Sequence, residues 1–131
     1  MIWFLRILFA CIFGSMLWVT SWASMHIPLF EIPDEVVSNP WFIATLVDAY
    51  WGFITFYVWL AWKEGGTPAR FLWFIAVILL GNMAMSVYFI RELFAIGKSS
   101  ELDLVFTRRN PGKLVLPGIL VGLSIVVYAL A

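Results

Sequence analysis

The residue in this chain best placed to do chemistry is a single carboxylate inside an apolar run. Asp48 is the one charged residue of Trp41–Trp62. Seven residues into that run, it would lie roughly 10 Å deep in a helix rising 1.5 Å per residue. A carboxylate there could hold a cation, exchange a proton, act as a general acid or base, or bind a neighbouring helix. All four roles need a partner, because an Asp near the centre of a spanning helix costs about 2.5–3.5 kcal/mol. Thr45, Gly52 and Thr55 fall on its face at helical spacing, while Tyr50 and Tyr57 form a separate stripe. In the next apolar run Asn82 and Ser86 stand one turn apart. If the two runs are antiparallel helices, Ser86 reaches nearly the depth of Asp48, Asn82 lies about one turn deeper, and Arg91 can reach back from the nearer surface. The expected site is therefore a polar cluster of Asp48, Thr45, Thr55, Asn82, Ser86 and Arg91, with His26 above it. The same residues also fit a purely structural role, as interhelical hydrogen bonds worth about 1 kcal/mol each.

Other chemistry has little to work with. One His and one Cys, Cys11 inside an apolar run, make no ligand set for zinc, haem or an iron–sulfur cluster. There is no phosphate-cradling glycine loop, no Gly-x-Ser-x-Gly and no His-Glu-x-x-His. No catalytic, cofactor or metal residue is expected. Eight Lys and Arg balance eight Asp and Glu, so no net charge draws nucleic acid. The expected partners are membrane lipids and a second copy or a larger membrane complex.

The elements that must position these residues follow from composition. The chain is 63% apolar and 12% charged, against roughly 45–50% and about 25% in ordinary globular proteins. Four apolar runs, about 2–23, 41–62, 71–94 and 114–131, approach the ~20 residues a spanning helix needs. The expected fold is all-α, an integral membrane bundle of four transmembrane helices forming one domain over residues 1–131. Asn39-Pro40 and Gly65-Gly66 punctuate it, and tryptophans such as Trp3, Trp22, Trp41 and Trp62 suit the headgroup level. Gly52, Gly81, Gly118 and Gly122 are candidate helix-packing positions, the last two as a GxxxG. Arg6 and Glu64 should pair at one interface. Ser99–Phe106 reads as a solvated connector or as a short interfacial helix with Leu102, Val105 and Phe106 towards lipid. Ser21-Trp22-Ala23 resembles a cleavage site, but the apolar run begins at Met1, so a retained first helix is expected. With four spans, the third loop and the end of its preceding helix hold Arg91, Lys98, Arg108, Arg109 and Lys113, against Arg6, Lys63 and Arg70 at the other surface. That balance leans towards an N-terminus outside.

Two motifs carry a resemblance. Pro40-Trp41-Phe42-Ile43-Ala44-Thr45-Leu46-Val47-Asp48-Ala49-Tyr50, followed by Val58-Trp59-Leu60-Ala61-Trp62-Lys63-Glu64, Leu79-Leu80-Gly81-Asn82 and Tyr88, resembles a family of small membrane proteins of plants and bacteria, catalogued only as a domain of unknown function. The likeness covers about Pro40 to Ile96, with Trp62 where the family often has Tyr. It implies a polytopic membrane protein with Asp48, Lys63 and Glu64 in the shared pattern, and it brings no activity, cofactor or catalytic residue. The expected function is a small structural or accessory membrane component. The alternative is a solute or proton-coupled transporter acting as an oligomer with Asp48 as its titratable site. Either would be a multi-pass protein, with a bacterial inner membrane as the expected location.

Overall fold

The first apolar run folds as α1 (Ile2–His26), and its opening turn is capped from the far end of the chain: the Ile2 N–H donates to Ser99 Oγ at 3.1 Å. The computed structural model describes residues 1–130, whose regular elements are all helical. A 3-10 turn at Leu29–Glu31 and the short α2 (Asp34–Val37) lead to α3 (Pro40–Lys63). The start of α3 is written locally. Asn39 Oδ1 accepts from the Trp41 and Phe42 N–H groups at 2.9 and 3.4 Å. Pro40 occupies the first helical position, where its missing N–H costs nothing.

The third apolar run corrects the four-span expectation, because it is not one helix. It divides at Gly81 into α4 (Thr67–Leu80) and α5 (Asn82–Ala95), which fold back on each other. Trp73 and Tyr88 meet edge to face with ring centroids 4.9 Å apart. In a straight helix they would be separated by roughly 22 Å. Gly81 makes the turn with φ 52° and ψ −122°, a backbone conformation that strains any side chain. A Cβ there would lie 2.6 Å from the Phe53 ring, so the hairpin tip rests against the middle of α3.

After a 3-10 turn at Ser99–Glu101 come α6 (Asp103–Thr107) and α7 (Val115–Leu130). Val105 does not face outward as expected; it is buried with Ile2, Leu93 and Ile96. Helix α7 lies along α4, and the Tyr128 hydroxyl donates to the Leu79 carbonyl at 2.6 Å, level with the hairpin tip. Helix α1 lies along α5, with Phe9 stacked on Phe89 at 4.5 Å. A central core of Leu60, Trp73, Ala76, Val77, Ala84, Tyr88 and Leu120 joins α3, α4, α5 and α7.

Two of these helices, α1 with 25 residues and α3 with 24, are long and apolar enough to cross a membrane. Helices α4 and α7 are apolar but have 14 and 16 residues, about 21 and 24 Å of helix against a ~30 Å hydrocarbon core. The hairpin also settles which segments share an end. The N-terminus, the 63–67 turn and the 95–115 connection lie together, and among the described residues only the 27–39 connection lies at the opposite end.

Candidate functional site

Two adjacent pairs of opposite charge, Lys63-Glu64 and Arg91-Glu92, stand at corresponding positions on either side of the hairpin. Helix α3 ends at Lys63, and Glu64 turns into extended backbone. The hairpin returns α5 to the same level and delivers Tyr88, Arg91 and Glu92 beside them. The 108–110 segment then lies down across the turn. Asn110 N–H donates to the Lys63 carbonyl at 2.7 Å, and Gly65 N–H to the Asn110 carbonyl at 2.9 Å. Gly65 permits this approach, since a Cβ there would be 2.9 Å from the Asn110 carbonyl oxygen.

The result is a buried ionic network. Lys63, Glu64 and Glu92 are each 0% exposed. Glu92 Oε2 accepts from Lys63 Nζ and Arg108 Nη2, both at 3.1 Å. Its Oε1 accepts from Arg91 Nη2 at 2.8 Å and Asn110 Nδ2 at 2.7 Å. Glu64 Oε1 accepts from Arg91 Nη2 at 2.5 Å and from the Tyr88 hydroxyl and Asn110 Nδ2, both at 2.9 Å. Lys63 also donates to the Val105 carbonyl, tying α6 to the end of α3. Glu64 Oε2 alone is buried without a hydrogen-bond partner within this network. Burial of this kind is tolerated because almost every charge is matched, and it makes each member hard to remove. Chemically the network is a latch: its carboxylates are already engaged by cations from the same chain.

Beside the latch opens a cleft of about 400 Å³, lined by Arg91, Arg108, Arg109, Asn110 and Lys113 along with Ala95 and Pro111. Arg109 lies over the Trp62 ring at 5.1 Å. Neither Arg109 nor Lys113 has a carboxylate partner among the described residues.

The structure does not bring the expected polar cluster together. Asp48, Thr45, Gly52 and Thr55 are exposed on α3. Thr45 and Thr55 each donate to a carbonyl of their own helix, at Trp41 and Trp51, both at 2.8 Å. Asn82 is exposed at the hairpin tip, Ser86 is buried in α5, and Arg91 is committed to Glu64 and Glu92 at the far end of α3 from Asp48. The cause is the break at Gly81, which turns α5 parallel to α3 and reverses the depth of every residue after it. His26 bonds to the Trp22 carbonyl of its own helix at 2.8 Å. Arg6 does not meet Glu64; it donates to the Leu93 and Ile96 carbonyls at 2.8 and 3.1 Å and lies over the Phe94 ring. Gly118 and Gly122 have open space where a Cβ would stand, as does Gly52. Among the described residues no group of His, Cys, Asp and Glu is arranged to hold a metal.

Glu92, Tyr88, Arg108 and Asn110 were absent from the sequence-based site. A sequence signal exists for Glu92 alone, the recurrence of a cation–carboxylate dipeptide at the end of two consecutive apolar runs, since such groups seldom stay unpaired when buried.

A family model described as "Protein of unknown function (DUF1475)" matches residues 2–115. No curated protein and no solved structure matches the chain.

Proposed function

The chain belongs to the DUF1475 family of proteins of unknown function, and on that premise we propose that it is a small membrane-embedded accessory component that acts by docking onto another membrane helix. Membrane residence is supported by what its longest helices leave uncovered. Only 6% of the most apolar window of α1, and 6% of that of α3, is buried within the chain. A core helix of a soluble protein would bury most of that window. Trp18 (73% exposed), Trp41 (82%) and Trp51 (63%) extend the same pattern, far beyond the apolar patches that soluble monomers expose.

The observation that carries the docking reading is Asp48. It is exposed on α3, beyond the reach of the hairpin, with no partner among the described residues. Thr45, Gly52 and Thr55 continue an exposed stripe of polar and small residues through the same length of α3. A lone carboxylate facing hydrocarbon is costly. A neighbouring helix that offers a cation or a hydrogen-bond donor at that depth removes the cost, and Gly52 lets its backbone come close.

The test is native mass spectrometry of the tagged protein in mild detergent. The wild type should carry a stoichiometric membrane partner. Asp48→Leu should lose that partner while keeping its helicity, because Asp48 supports nothing in its own chain, and Asp48→Asn should keep both. A wild-type monomer without a partner, or Asp48→Leu still bound, would overturn the reading. The oligomeric carrier predicts a different result: a homo-oligomer in which Asp48→Asn assembles normally but loses pH-dependent flux in proteoliposomes.

A further inference from the structure

We propose that the cleft beside the latch is a binding site for a phosphate group. Every charged residue of its lining is a cation. Arg91, Arg108, Arg109 and Lys113 line it, while the Asn110 amide is already spent on Glu64 and Glu92. The buried carboxylates do not cancel this charge. Glu64 and Glu92 bring two negative charges to three cations that contact them, Lys63, Arg91 and Arg108. Arg109 and Lys113 add two further positive charges without a carboxylate partner among the described residues. The lining therefore carries an excess of positive charge in a recess of about 400 Å³, large enough for a phosphate and part of what it is attached to.

The site is also built rather than accidental. Asn110 is held by backbone bonds to Lys63 and Gly65 and by side-chain bonds to both carboxylates. The Arg91 and Arg108 guanidiniums are each anchored on one side by Glu92, at 2.8 and 3.1 Å. Arg109 is steadied against the Trp62 ring. Guanidinium groups fixed in this way present their remaining N–H donors without a further ordering cost, the arrangement that suits a tetrahedral oxyanion. The phosphate could belong to an anionic lipid headgroup or to a free phosphate compound, and the experiment separates the two.

The purified full chain, in a neutral detergent, would be titrated with inorganic phosphate and followed by its thermal unfolding midpoint. In parallel it would be reconstituted into vesicles of phosphatidylcholine with or without phosphatidylglycerol, and retained lipid counted by native mass spectrometry. Arg109→Gln/Lys113→Gln removes the two lining cations that no carboxylate holds, so the latch remains intact. Lys98→Gln removes one basic residue of the same end that does not line the cleft. Saturable stabilisation by phosphate, weakened at least five-fold in the double variant and unchanged in Lys98→Gln, would establish a site for free phosphate. Retention of phosphatidylglycerol with the same variant pattern, without an effect of inorganic phosphate, would establish a headgroup site. Equal weakening by Lys98→Gln, equal stabilisation by chloride, or no binding of either probe would each overturn the proposal.

Discussion

Lys63 and Glu92 meet with no exposed surface on either side chain. A pair in that position contributes less than its geometry implies, since both ions have been taken out of water. Breaking it is a different matter. Glu92→Leu leaves the fully buried Lys63 without a carboxylate, while Arg91 keeps Glu64 and Arg108 is partly exposed, and should destabilise the chain by about 3–5 kcal/mol. Lys63→Met alone should cost a similar amount. The double variant should lose clearly less than the two single losses added, with a coupling above about 1 kcal/mol. Thermal unfolding followed by tryptophan fluorescence reads all three, and strict additivity would show that the two side chains do not depend on each other. Asn110→Ala tests the hub from the other direction. It removes one donor shared by both carboxylates, and a loss of about 1–3 kcal/mol is expected from the acceptors left short. An effect below a few tenths would mean that solvent replaces the amide.

Among the elements, the α4–α5 hairpin decides the architecture, and Gly81 is where it can be broken. Gly81→Ala places a methyl group against the Phe53 ring and strains a backbone with positive φ, for an expected loss of about 1–3 kcal/mol. Phe53→Ala in the same chain should return part of that loss by clearing the ring, while the backbone strain remains. If Gly81→Ala is neutral, the turn does not need glycine. This element also marks the limit of what the sequence makes legible. Helices α1 and α3 can be read from apolar length and from the Asn39-Pro40 start, because those signals are local. The 71–94 run satisfies the length of a single span equally well as two shorter halves. What selects the halves is contact across the turn and with another helix, Trp73 with Tyr88 and Gly81 with Phe53, and neither contact leaves a mark on the apolar pattern of the run. The misplaced polar cluster follows from the same cause. Lys63 and Glu64 could be recognised as part of a motif, but their partners on α5 and at Arg108 and Asn110 were brought near only by the turn.

For the whole molecule, the hairpin gathers all eight Lys and Arg at one end. Arg6, Lys63, Arg70, Arg91, Lys98, Arg108, Arg109 and Lys113 all lie with the N-terminus, while the opposite connection carries Glu31, Asp34 and Glu35 and no Lys or Arg. A four-span chain would have divided these bases between two surfaces. If the chain spans a membrane as proposed, the preference of basic residues for the cytoplasmic side predicts an N-terminus inside, the reverse of the lean drawn from four spans. In a Cys11→Ser background, a cysteine at Glu35 should react with an impermeant maleimide in intact cells, and one at Lys98 only after lysis. The opposite labelling pattern would refute this orientation. The depth of the hairpin has a further effect. Helices α1, α3, α4, α5 and α7 share the basic half, whereas among the described residues only α1 and α3 continue past the tip. If the chain is membrane-embedded as proposed, with its basic end inward, such a tapered body takes up more area in the inner leaflet than in the outer. It would therefore disturb lipid packing least where the membrane bends to match the taper.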